Sequence, residues 1–145
     1  MSELYDEDIL LWSERQGDLL RRIAAGEPVN EPPDWANIIQ EVESVGREQL
    51  HAVESLLFQA LLHIHKAEGW PASRDADNWR GDARGFRAQA RRRFASSMRQ
   101  NVDLVGIYAD ARHAMPATMD GVPPQPVPLT CPMTLDELIG GEAAP

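Results

Sequence analysis

One long helical pattern in the middle of the sequence constrains the fold more than any other feature. Over residues 35–68 apolar side chains recur three or four positions apart, and no proline interrupts them. Pro33 precedes the pattern, Asp34 offers a capping oxygen for its start, and Gly69 marks its end. This stretch predicts a single long helix that forms the central element of the protein.

Shorter stretches with the same period flank the central pattern on both sides. They predict three further helices, over about residues 6–25, 77–100 and 102–115, with Gly26 ending the first, Asp77 capping the second and Asn101 capping the third. No stretch alternates cleanly with period 2, so the predicted class is all-α. We expect an up-down bundle of about four helices, with two long central helices, forming a single domain over residues 1–145. The proline-rich tail, residues 116–145, should extend over the bundle and end in a short helical turn opened by Thr134.

Composition limits the partners and the compartment. The net charge of −9 disfavours nucleic acid and anionic membranes as partners of the whole chain. Cys131 is the only cysteine, which excludes an intramolecular disulfide and a cysteine-based zinc site. The acidic start of the chain lacks the features of a signal peptide, and no apolar run is long enough to span a membrane. These features predict a soluble cytoplasmic protein.

An E-x-x-H step on the central helix raises the question of a metal site. Glu48 and His51 lie on one helical face, and the predicted fourth helix carries Asp110 and His113 in the same spacing. Ferritin-like di-metal bundles use two E-x-x-H steps and two more glutamates, and the second step is missing here. The four residues are therefore a candidate metal site, with a solvated polar face as the commoner outcome for such a pattern. No cofactor is expected.

The charge distribution is uneven along the chain. Residues 1–73 hold 14 acidic and 5 basic side chains, whereas residues 74–112 hold 9 basic and 5 acidic ones. Four arginines form one stripe on the predicted third helix: Arg80, Arg84, Arg87 and Arg91. Two uses are open, and the first is a structural network of ion pairs with acids of the central helix, namely Glu41, Glu43, Glu48 and Glu54. The second is an anion-binding face that contacts the phosphates of a nucleic acid, extended by Arg92, Arg93 and Arg99.

A helical wheel of the central helix predicts which face is buried. With 100° per residue, eight side chains fall within about 100° of one another: Ile38, Val42, Val45, Gln49, Val53, Leu56, Ala60 and Ile64. We expect this stripe to face the core. His63 lies at its edge, where a neutral imidazole usually bonds to a carbonyl or carboxylate oxygen. His65 lies away from the stripe and is expected at a packing rim or in solvent.

Several short motifs together resemble a known family. They are Tyr5-Asp6 with Asp8, Trp12 and Gln16, then Asp34-Trp35 with Asn37-Ile38, Glu41, Glu43-Ser44 and Gly46, then Leu61-Leu62 before Lys66, then Trp79, and finally Cys131-Pro132 with Thr134-Leu135, Glu137 and Leu138. In this combination the chain resembles the DUF29 family of bacterial proteins over nearly its whole length. The resemblance implies a small all-helical bacterial protein and carries over no biochemical activity.

No catalytic motif stands out in the sequence. The nucleophile elbow, the phosphate-binding loops and the zinc-protease motif are all missing. The favoured hypothesis is a non-enzymatic regulatory or protein-interaction module, with another protein or a second copy of the chain as its partner. The alternatives are a metal-binding protein or enzyme that uses Glu48 and His51, and a nucleic-acid-associated protein that uses the arginine stripe.

Overall fold

A computed structural model describes residues 2–140 of the chain, and the regular elements of that part are helices joined by loops. It contains six α-helices and one short 3-10 helix, and no strand occurs within residues 2–140. The helices are α1 (Ser2–Glu7), α2 (Ile9–Ala24), α3 (Trp35–Gly69), α4 (Ala76–Arg93), α5 (Leu104–His113) and α6 (Leu135–Gly140), with the 3-10 helix at Ser96–Met98. The predicted all-α class is confirmed.

The chain groups into two compact units, each described here by itself. Unit 1 covers residues up to Arg47, and unit 2 begins at Glu48. The long helix α3 contributes its first residues to unit 1 and the remainder to unit 2. No helix in residues 2–140 is long and apolar enough to cross a membrane.

Unit 1 begins with two helices where the sequence predicted one. The chain leaves the helical conformation at Asp8, whose side chain accepts a 3.0 Å hydrogen bond from the backbone N–H of Leu11 and caps α2. At the other end Gly26 adopts a φ of 78°, and the N–H groups of Gly26 and Glu27 close a Schellman motif on the last turn. The predicted stop at Gly26 is therefore confirmed, while the predicted start at residue 6 misses the break.

Unit 2 holds a core built from four helices. Its buried members come from α3, α4, α5 and α6: Val53, Leu57, Leu61, Ala90, Tyr108, Ala111, Leu138 and Ile139. Helix α3 supplies a valine and two leucines and α6 supplies a leucine and an isoleucine, while the alanines of α4 and α5 let the neighbouring helices approach closely. Three of these eight residues belong to α3, more than any other helix of the unit contributes.

The predicted third helix ends earlier than expected. Phe94 and Ala95 are extended, so α4 stops at Arg93 and the chain continues into the 3-10 helix. The caps also differ from the prediction. Asp75 rather than Asp77 precedes α4, and Asp103 rather than Asn101 caps α5 by accepting a hydrogen bond from Gly106. Aspartate and asparagine residues are abundant near the starts of α4 and α5, so the spacing of the apolar residues does not identify which of them is the cap.

The segment after α5 contains a tight turn that the prediction of an extended tail did not include. Asp120 and Gly121 both have positive φ, and Met119 and Val122 exchange two backbone hydrogen bonds across them. Asp-Gly is the usual sequence for such a turn. Further on, the Thr134 hydroxyl accepts a hydrogen bond from the Glu137 N–H, which confirms the predicted cap of the last helix.

Candidate interaction surface

The four candidate metal ligands do not gather into one site. His51 and Asp110 line the same open cavity of about 330 Å³, together with Glu54, whereas Glu48 and His113 are not among its lining residues. Within residues 2–140, no group of three or more histidine, cysteine, aspartate or glutamate side chains is placed to hold a metal ion. The predicted site therefore reduces to a half-polar depression between α3 and α5.

The arginine stripe of α4 finds partners that the sequence did not suggest. Arg87 is buried, and its guanidinium donates to the carbonyl oxygens of Leu138 at 2.7 Å and Glu137 at 2.9 Å. Arg91 donates to the carbonyl of Ile139 at 3.5 Å. These carbonyls lie at the end of α6, where a helix presents unpaired acceptors and a negative partial charge. Burial, together with the neighbouring cation of Arg91, lowers the pKa of Arg87 from its usual value.

Two of the remaining residues of the predicted charge network pair within their own helix. Arg80 pairs with Asp77 at 2.8 Å, one turn away on the same helix, and Arg84 is exposed. In unit 1, Glu43 lies 3.8 Å from Arg47, again on its own helix. The sequence predicted carboxylates as the partners of the stripe. For Arg87 the structure places backbone carbonyls there instead, because α6 ends against α4 and its last acceptors need donors.

Two histidines on α3 differ in whether they have the surroundings that the helical wheel predicts. The prediction for His63 is confirmed, since its Nδ1 lies 2.7 Å from the carbonyl oxygen of Gln59. The prediction for His65 is wrong, because that side chain is only 1% exposed. Its ring packs edge-on against Tyr108 with centroids 4.7 Å apart, and neither ring nitrogen has a hydrogen-bond partner among the described residues. Near His65, side chains on more sides of α3 are buried than the single apolar stripe of the helical wheel predicts.

A second cavity, of about 600 Å³, lies beside the end of α3. The tight turn at Asp120 forms one wall and the loop from Trp70 to Asp75 forms another. Trp70 is buried and donates its indole N–H to the carbonyl of Val122. The Asp-Gly turn was the sequence signal that could have predicted this wall. The polar groups along it do not converge on one point that would define a ligand.

Unit 1 is held together by a network of polar side chains. Asp34 accepts hydrogen bonds from the Trp12 indole at 3.0 Å and from the Asn37 amide at 2.8 Å, and the Asp34 N–H donates to Gln16 at 2.7 Å. Trp12 and Gln16 are buried in this contact. These hydrogen bonds join the end of the linker to α2 and α3. All four of these residues are among those that carry the family resemblance.

A second arm of the network joins α1 to α3. The Tyr5 hydroxyl donates to the carboxylate of Glu41, and the Tyr5 ring packs edge-on against Trp12 at 4.9 Å. The hydrogen bond to Glu41 raises the pKa of Tyr5 above its usual value. The hydrogen bond from the Asn37 side chain is the main reason that the pKa of Asp34 is lowered, so its carboxylate form is favoured. The polar side of α3 therefore contacts the rest of unit 1.

The side of α3 that the sequence assigned to the core is exposed in unit 1. The exposed fractions are 50% for Trp35, 53% for Ile39, 69% for Val42 and 60% for Val45. We call these four residues the apolar stripe. The prediction that Val42 and Val45 face the core is wrong, because α1 and α2 are bonded to other residues: Glu41 accepts from Tyr5 of α1, and Asp34 accepts from Trp12 of α2. The same face becomes buried only from Val53 onward.

The surroundings of the apolar stripe are acidic. Residues 1–47 carry 11 acidic and 4 basic side chains, a net charge of −7. On the helical wheel Glu43 lies about 40° beyond Ile39 at one edge of the stripe, and Glu41, which contacts α1, lies about 40° beyond Val45 at the other. Helix α1 adds the exposed acids Glu3, Asp6 and Glu7. The stripe is thus an apolar strip between acidic edges.

Comparisons with known proteins identify relatives but assign no activity. The family model described as a domain of unknown function, DUF29, matches residues 4–142. A crystal structure of an α-helical protein of unknown function from Rhodospirillum rubrum is similar with a TM-score of 0.66 and 23% sequence identity. That match covers 95% of this chain and 90% of the other chain. No curated protein matches the chain.

Proposed function

Because the chain belongs to the DUF29 family, for which no activity is assigned, we propose from its surface that it is a non-enzymatic protein-interaction module of the bacterial cytoplasm. The observation that carries this proposal is the apolar stripe of Trp35, Ile39, Val42 and Val45. Single exposed apolar residues are common on protein surfaces, whereas a contiguous group flanked by charges marks a binding surface.

The contacts within unit 1 support this use of the stripe. The polar network through Asp34 and Glu41 joins α3 to α1 and α2 without using any of the four apolar side chains in its hydrogen bonds. The stripe is therefore left available after the unit has folded. Burying one large aliphatic side chain contributes about 1.5–3 kcal/mol, so four of them supply a substantial driving force for binding a partner.

Unit 2 is proposed to be the scaffold of the module. We propose that its helices run in up-down order around the core of α3, α4 and α5, with the proline-rich segment on the outside. The shared core residues of these helices support the first part. Three hydrogen bonds support the second: Tyr108 hydroxyl to Pro128 carbonyl, Gln125 N–H to Gly69 carbonyl, and Trp70 indole to Val122 carbonyl. A scaffold of this kind has no need of convergent catalytic groups.

The nucleic-acid alternative has less support than the protein partner. Arg87, in the middle of the arginine stripe, is buried against α6 and has its guanidinium directed at carbonyl oxygens. Of the other arginines on this helix, which are exposed, Arg80 pairs with Asp77 and Arg91 bonds to the carbonyl of Ile139. Arg84, Arg92 and Arg93 are left, without an exposed aromatic residue of α4 among them. The apolar stripe, by contrast, has the composition of a protein-binding surface.

Photochemical crosslinking in the source cell tests the proposal. Val42 is replaced by a photoreactive phenylalanine analogue in the full chain, and the matched control carries the same analogue at Gln89, an exposed position on α4. We expect a discrete adduct from position 42 that decreases at least about fivefold when Val45→Glu is added. No adduct at position 42, or the same adducts from both positions, would contradict the proposed function.

A further inference from the structure

We infer that the apolar stripe binds a basic amphipathic helix of another protein, an inference that rests on the interaction function proposed above. The stripe runs over residues 35–45 of α3, and at 1.5 Å per residue this corresponds to about 15 Å. A partner helix matches such a strip with two to three turns of apolar side chains at positions i, i+3, i+4 and i+7.

The charges beside the apolar stripe determine the sign of the charge that a partner should carry. Acidic side chains flank it on both edges, with Glu43 on α3 and the exposed acids of α1 on the opposite side. Unit 1 as a whole carries a net charge of −7. Lysine or arginine residues on the edges of a partner helix would lie opposite these acids, which accelerates association and excludes acidic competitors.

A second copy of this chain fits the stripe less well. A symmetric contact between two stripes would bring two units of net charge −7 together. Stable dimers usually bury about 800 Å² on each partner, and four side chains that are only half to two-thirds exposed fall well short of that area. The exposed large apolar residues of unit 2, Val105, Val122 and Leu129, are scattered over different segments and offer no matching strip.

Designed peptides provide the test of the partner's chemistry. The probe is an 18-residue helical peptide of leucine and lysine with leucine at i, i+3, i+4 and i+7, labelled for fluorescence anisotropy. Its matched control has the same leucines and glutamate in place of lysine. We expect the lysine peptide to bind the full chain at least about tenfold more tightly than the glutamate peptide, and to weaken as salt rises from about 50 to 500 mM.

A double variant separates contact with the stripe from general charge attraction. Val42→Glu with Val45→Glu makes unit 1 more acidic, so general attraction to the lysine peptide would increase. We expect affinity to fall at least about tenfold instead, because the apolar contact is lost. Val42→Ala with Val45→Ala, which retains the helix and adds no charge, should also weaken binding. Circular dichroism of both variants checks that the helices are intact.

The outcomes distinguish this inference from the proposed function. Equal affinity for the two peptides, or undiminished binding of the lysine peptide to both double variants, would overturn the basic-helix inference. A dimer in light scattering that the glutamate variant dissociates would overturn it in favour of a second copy. If position 42 crosslinks in the cell while the lysine peptide fails to bind, the interaction function stands and the partner class is wrong. Failure of both experiments removes the function as well.

Discussion

The two ends of helix α3 use the same predicted face in opposite ways. In unit 2, Val53 and Leu57 are fully buried in a core of apolar side chains from four helices. In unit 1, Val42 and Val45 are mostly exposed, and the helix is joined to its neighbours by hydrogen bonds to Asp34 and Glu41. The apolar period of a helix therefore does not specify which part of that face is buried within the same chain.

The largest expected loss of stability comes from replacing a buried leucine of unit 2, and an exposed leucine of unit 1 gives the comparison. Leu61 in unit 2 is 1% exposed, whereas Leu10 on α2 in unit 1 is 66% exposed. Leu61→Ala should lower the free energy of unfolding by about 2–5 kcal/mol, because a buried leucine leaves a cavity. Leu10→Ala should change it by less than about 0.5 kcal/mol. Urea denaturation followed by circular dichroism measures both, and equal losses would erase the difference between the units.

A second experiment tests whether the buried arginine stabilises the end of α6. Arg87→Ala removes the donors to two carbonyls and should lower the free energy of unfolding by about 2–3 kcal/mol. Arg84→Ala, on the same helix but exposed, is the matched control and should cost less than about 0.5 kcal/mol. Similar small losses for both would show that the hydrogen bonds of Arg87 add nothing to unit 2.

Protonation of Asp34 at low pH should weaken the polar network of unit 1. The pKa of Asp34 is lowered in the folded state, so its contribution to stability is present above the pKa of an unfolded aspartate, about 3.9, and is lost as pH falls through the folded value. The Trp12 indole proton, which bonds to Asp34, should therefore keep its shifted NMR signal down to that unfolded pKa and lose it at lower pH. In Asp34→Asn this loss should disappear. A signal that persists in the wild type to pH 2 would contradict the assigned role.

The smallest effect concerns the single cysteine. Burial raises the pKa of the Cys131 thiol, so less of the reactive thiolate is present at pH 8. The folded protein should react with a thiol-specific disulfide reagent at least about tenfold more slowly than the same protein in urea. Equal rates would show that this part of unit 2 is as open as the surface of unit 1.

Local signals in the sequence predicted the elements better than the packing. Gly26 and Thr134 each have a conformation or hydrogen bond that one residue type favours, and their roles were correctly predicted. The partners of Arg87 were not, because a backbone carbonyl at the end of α6 leaves no trace in residue types. The exposure of Val42 was also missed, since periodicity identifies an apolar face without identifying what covers it.

The predictions for the candidate sites divide in the same way, between local positions on a helix and packing between segments. His51 and Asp110 do line one cavity, as their positions on two helices suggested, but Glu48 and His113 do not join them. Whether His65 is buried depended on how many helices surround the end of α3, which a wheel of one helix does not contain. Some contacts within one helical turn were predictable, such as the cap at Thr134, whereas the contacts of Arg87 with the distant α6 were not.

Two valines on α3 test the central claim most directly, because they share a residue type, a helix and a predicted face. Val53→Ala should lower the free energy of unfolding by about 1.5–3 kcal/mol, since its side chain is fully buried. Val42→Ala should leave it within about 0.5 kcal/mol or raise it slightly, because alanine favours the helix. Denaturation of both variants beside the wild type gives the answer. Equal losses would mean that the apolar stripe belongs to the folded core and that it is not a surface kept free for a partner.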